Sequence, residues 1–220
     1  MSIKKKLRII SIIFGIGLFV GYIYEYQQLI NEGVYLSDEH CIKVNPLIID
    51  RKNKYLDQYN ILLAGAASSE EYITSLGKYL QSGQAFMKAE KDWLEKEKQY
   101  MGSKEFNLLM PSHIKEALKY QYEMYEAEYN SSYYISQGFE EADQEKRLEL
   151  SNKIVEETAR SREAGDKYNE LLKKYGGKMT WVYYFVKVPS SQCPPENNNI
   201  PIVPNLFTPQ IPISSEETKG

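Results

Sequence analysis

Between Ile9 and Tyr24 the chain carries no charged residue. Sixteen residues of helix rise about 24 Å, close to the roughly 30 Å of a bilayer's hydrocarbon, and Leu7, a snorkelling Arg8 and Tyr26 lengthen the usable stretch. The run ends in Tyr22, Tyr24 and Tyr26, rings that suit the interfacial aromatic belt and make a poor cleavage site. The expectation is therefore an uncleaved signal-anchor over residues 9–27, the alternative being a cleaved signal peptide. Both leave the bulk of the chain outside the cytoplasm.

Charge supplies the direction. Lys4, Lys5, Lys6 and Arg8 precede the span, whereas residues 25–42 hold Glu25, Glu32, Asp38 and Glu39 and no Lys or Arg. By the positive-inside rule the tip 1–8 is cytoplasmic and the C-terminal portion periplasmic or extracellular, with the chain in the inner (cytoplasmic) membrane. The formal charge of -3 thus divides into +4 before the span and -7 after it. Gly17 and Gly21 form a G-x-x-x-G spacing, a candidate for dimerisation of two such helices, though glycine is common in spans.

Beyond the anchor, residues 28–45 read as an irregular juxtamembrane connector, and regular structure is expected from Asn45-Pro46, a helix cap followed by the residue best tolerated at the first helical position. Ser68 and Glu71 make a capping box for a second helix. In that helix Tyr72, Tyr79, Phe86, Trp93 and Tyr100 recur every seven residues, and Ile73, Leu80, Met87, Leu94 and Met101 repeat beside them. A two-wide apolar stripe over four heptads means a helix packed lengthwise against others. The next track, Leu76, Gly83, Glu90 and Glu97, turns polar toward its C-terminal end and reads as a solvated edge, since carboxylates are rarely buried unless paired, the alternative being that the two glutamates meet partners.

A third helix is expected from about Ser112, with an interruption at Gln137-Gly138, and a fourth from about Glu140 to Tyr175. Residues 180–188 are dense in β-branched and aromatic side chains and read as a strand, with Gly33–Leu36 or Cys41–Val44 as partners. Seven of the nine prolines fall in residues 189–220, an extended tail. The fold class expected is mainly α: an antiparallel helical bundle of three to four long helices over 46–188, with coiled-coil-like packing, a short C-terminal β segment and one N-terminal transmembrane helix.

Chemistry is sparse. Cys41 and Cys193 flank the helical portion, and in an oxidising compartment a bridge between them would close about 152 residues, contributing on the order of 5 kcal/mol in the chain-entropy model. An intermolecular bridge and free thiols are the competing states. His40 and His113 are the only histidines, and no P-loop, H-E-x-x-H, G-x-S-x-G or Glu-x-x-His motif occurs. The expectation is a non-enzymatic protein with no cofactor, no metal and, given the acidic outer part, no nucleic-acid partner. Tyrosine is abundant, at 19 residues, and Tyr120, Tyr122, Tyr125, Tyr129, Tyr133 and Tyr134 are candidates for a partner surface beside their ordinary role at a helix core boundary. The function expected is a membrane-anchored scaffold, adaptor or inhibitor working through a protein partner or a homo-oligomer. The alternative is a ligand-sensing bundle with a Tyr-lined pocket.

Overall fold

The computed structural model describes residues 3–63, 70–175 and 186–193. The protein is mainly helical: α1 (Ile3–Glu39), a π-helical turn (His40–Val44), α2 (Asn45–Leu63), α3 (Glu70–Gly102), the short α4 (Lys104–Leu109), α5 (Ser112–Glu140) and α6 (Gln144–Tyr175). α5 runs through Gln137-Gly138 to Glu140 without the expected interruption. Ser103 caps α4, its hydroxyl accepting from the Phe106 N–H at 3.1 Å.

The connector expected over residues 28–45 is instead helical. α1, the π turn and α2 form one unbroken path from Ile3 to Leu63, roughly 90 Å long at 1.5 Å per residue. Asn45 is no cap: its backbone is helical, and its side chain is buried. The reason is local. Pro46 cannot donate to the carbonyl four residues back, and its ring crowds that carbonyl. The helix widens by one residue just before it, so that the Asn45 N–H reaches the carbonyl of His40, five residues back.

Among the described residues, the first part of this long helix is largely exposed. Ile10, Ile12, Ile13, Phe14, Ile16, Leu18 and Val20 are each more than half exposed, and the helix is long and apolar enough to cross a membrane by length and composition. Burial begins at Tyr26. Tyr26, Leu29, Ile30, Val34 and Leu36 pack with Tyr100 of α3, Phe106 of α4, Met110, and Ile114 and Leu118 of α5. A second core joins Val44 to Phe86, Trp93, Leu94 and Tyr125, with Leu47 and Ile48 of α2 against it.

The seven-residue track of α3 is the seam along this path. Tyr100 donates its hydroxyl to the Leu29 carbonyl at 2.9 Å, and the Trp93 indole N–H donates to the Leu36 carbonyl at 2.8 Å. Tyr79 accepts from Arg51 at 3.3 Å, and Tyr72 accepts from Gln58 at 3.4 Å. Partner numbers rise on one helix as they fall on the other, so α3 runs antiparallel to residues 29–58 of this path in constant register. α5 and α6 are likewise antiparallel, with Lys167 over Tyr120, Arg160 against Glu126, Asn130 against Glu157 and Lys153 over Tyr134.

Of the strand expected at 180–188, residues 180–185 lie outside the described residues. Val186–Val188 belong to no strand, and both proposed partner segments are helical. What a partner strand would have supplied comes from one side chain. The Gln27 carboxamide donates to the Lys187 carbonyl and accepts from its N–H, both at 2.6 Å, while Val186 and Val188 pack on the first core. The Pro-rich tail from 194 onward also lies outside the described residues.

Candidate functional site

The π turn aims His40 inward. Its Nε2 lies 3.2 Å from Oε2 of Glu90, and both side chains are buried, Glu90 completely. The imidazole sits between Trp93 and Tyr125, with ring centroids at 4.5 and 4.2 Å. The expectation of a solvated edge at Gly83, Glu90 and Glu97 is thereby corrected, for all three are buried. Glu90 tolerates burial through its histidine partner. Glu97 tolerates it by keeping its proton: burial, aided by the nearby Glu32 carboxylate, pushes its carboxyl up to about 8. Glu128 of α5 is pushed up to about 7 by burial and by Glu90, against a hydrogen bond from Ser161. At the rim, Glu39 accepts from both Lys43 and Lys96. Burial raises its carboxyl, but these two cations outweigh that and leave it below the ordinary value.

Next to this centre a cleft of about 480 Å³ opens between α2, α3, α5 and α6. Its walls are mostly apolar: Ile48, Tyr55, Tyr79, Phe86, Ala127 and Ile135. Arg51 enters it from α2, its guanidinium 5.4 Å from the centre of the Tyr79 ring and 5.5 Å from that of Phe86. One terminal nitrogen donates to Ser132 Oγ, and the other to Tyr79. Lys52 and Arg162 also line the cleft, and Glu128 contributes its carboxyl.

The two cysteines are brought together as a disulfide, Cys41 to Cys193, with Cα atoms 5.7 Å apart. The extended segment ending at Cys193 is held at two further points: Ser191 Oγ and the Gln192 N–H donate to the Asp38 carboxylate at 2.6 and 2.9 Å, and Gln27 holds Lys187. Fourteen helical steps from Gln27 to Cys41 and six extended steps from Lys187 to Cys193 both span about 20 Å, which is why one strap matches the helix at both ends.

The remaining sequence candidates are dispersed. Gly17 and Gly21 lie on the exposed length of α1, where an added Cβ would meet nothing within 4 Å. Of the six tyrosines, Tyr125 is buried, Tyr133 is exposed, and Tyr120, Tyr122, Tyr129 and Tyr134 are half-buried. Among the described residues, no group of three or more His, Cys, Asp or Glu could hold a metal ion. Sequence reasoning missed Arg51, Ser132 and Glu128. Their spacings carry no motif, and only the packing of α2 against α5 unites them.

Compared with known proteins, the chain matches no family, and no curated protein or solved structure is significantly similar to it.

Proposed function

We propose that this chain is a single-pass membrane protein, anchored through the apolar length of α1 that ends before Tyr26 joins the core, with its N-terminus in the cytoplasm, whose extracytoplasmic helical bundle works by binding rather than by catalysis. The observation that carries this is the unbroken helical path. An exposed apolar length that water would penalise heavily continues without a hinge into the buried core, so the bundle would be held rigidly at the membrane surface. The +4 inner tip and the -7 outer portion support the orientation. A Cys41–Cys193 bridge suits an oxidising compartment.

As a scaffold, adaptor or inhibitor, the bundle would meet its protein partner away from the membrane. Tyr133, Phe139, Leu148 and Val155 are all exposed, and the antiparallel register of α5 and α6 gathers them at one end of that pair. A photoreactive residue at Leu148 should capture a partner from intact envelopes, and one at exposed Lys98 should not. Equal capture at both positions, or at neither, counts against the adaptor role. A C-terminal reporter active only inside the cell would overturn the orientation.

The second reading, a ligand-binding bundle, is favoured by the cleft, whose size falls in the range of about 300–1,000 Å³ typical of small-molecule sites.

A further inference from the structure

Arg51 is the one half-buried arginine among the described residues. Of the half-buried lysines, Lys54 and Lys153 meet the carboxylates of Asp50 and Glu149, and Lys115 donates to the Asn107 carbonyl. Arg51 is half-buried between two aromatic rings and takes only neutral oxygens, from Ser132 and Tyr79. Among the described residues no carboxylate lies within ion-pair distance of Arg51, Lys52 or Arg162, the three cations that line the cleft. The one carboxyl in the cleft, Glu128, accepts from Ser161 at 3.4 Å. An outer portion that is acidic overall thus gathers unpaired positive charge in a cleft whose exposed lining is predominantly apolar. Desolvating a guanidinium without a counter-ion costs free energy, and an anion entering the cleft would recover it. The five donors of a guanidinium fit the planar or trigonal oxygens of a carboxylate or phosphate, and two donations to protein oxygens leave others free. The remaining walls combine the rings and branched side chains of Ile48, Tyr55, Tyr79, Phe86 and Ile135 with uncharged hydroxyls, and the predominantly apolar lining suits an apolar body rather than a second charge.

We propose that this cleft binds a small amphipathic anion, a single carboxylate or phosphate ester on an apolar body, with Arg51 receiving the head group and Tyr55, Tyr79 and Phe86 the body. This rests on the reading of the bundle as a ligand-binding one, and the test separates the two. The full chain in lipid nanodiscs is titrated with 3-phenylpropionate, 2-phenylethyl phosphate and the neutral 3-phenylpropan-1-ol by calorimetry, with empty nanodiscs subtracted. Expected is saturable one-to-one binding of at least one anion, at least tenfold tighter than the alcohol. Which anion binds identifies the head group. Arg51→Gln should weaken binding at least tenfold. Thr158→Trp, at an exposed position on the cleft wall where folding is not at risk, should do the same by filling the space. Alcohol binding as tight as that of the anions would overturn the head-group assignment alone. Anion binding that survives both substitutions would overturn the site. Failure of all three compounds to saturate would overturn the ligand-binding reading itself, and with it this proposal.

Discussion

Glu97 shows what burial does to a single carboxyl. Its proton is held more tightly in the folded chain, to about 8, than its ordinary value of 4.5, so the folded state binds more protons over that interval and loses stability as pH rises through it. Glu128 acts in the same direction up to about 7. The melting temperature should therefore fall from pH 5 to pH 8, and Glu97→Gln, which mimics the protonated form, should abolish the part of the decline between about pH 7 and 8. An unchanged profile in the variant would remove Glu97 from the account. His40 and Glu90 are each other's buried polar partner. His40→Ala removes that partner and opens a hole between Trp93 and Tyr125, so a loss of about 2–4 kcal/mol is expected in denaturant titrations. At Gly33 the restriction is steric: an added Cβ would lie 2.9 Å from the Tyr100 hydroxyl, which is itself bonded to Leu29. Gly33→Ala should cost about 1 kcal/mol, because displacing that buried hydrogen bond outweighs the gain in helix propensity. None of these three roles is legible in the sequence, since each depends on a residue far along the chain.

Among the elements, α3 was the most legible. Its aromatic heptads predict a seam, and Tyr79, Phe86, Trp93 and Tyr100 are indeed buried. The parallel track was less faithful. Leu94 is buried, whereas Ile73 is 65% exposed, because the packing is confined to the side that faces α1 and α2. The polar tips decide the register. Trp93→Phe keeps an aromatic ring but removes the N–H that bonds the Leu36 carbonyl and leaves part of the indole's space unfilled, and should lower stability by about 1–3 kcal/mol with little change in helix content by circular dichroism. The start of α2 was misread because Asn45-Pro46 is an excellent helix opening in isolation. The tertiary packing of Tyr26–Leu36 on one side and Leu47–Ile48 on the other favours continuing the helix, and a single widened turn accommodates the proline.

At the scale of the whole molecule, the strap from Lys187 to Cys193 ties the far end of the described chain to α1. Replacing both cysteines by serine should lower stability by roughly 3–5 kcal/mol, and reductant should shift the melting temperature of the wild type but not that of the variant. Equal shifts in both would show that the bridge is dispensable. The helical class, the apolar N-terminal helix and the long lengthwise packing of α3 were determined by the sequence alone, because periodicity, hydropathy and heptad spacing act within a few turns of one element. The cysteine pair was anticipated as one of several states, and its partnership needed the strap to bring the two residues within reach. Only the tertiary structure decided that Glu90 and Glu97 are inside, that the connector is helix, and that Arg51 faces Tyr79, Phe86 and Ser132 across three helices. The physical reason is the same in each case. Burial and pairing belong to residues 28 or more positions apart, and no local propensity encodes which of them will meet.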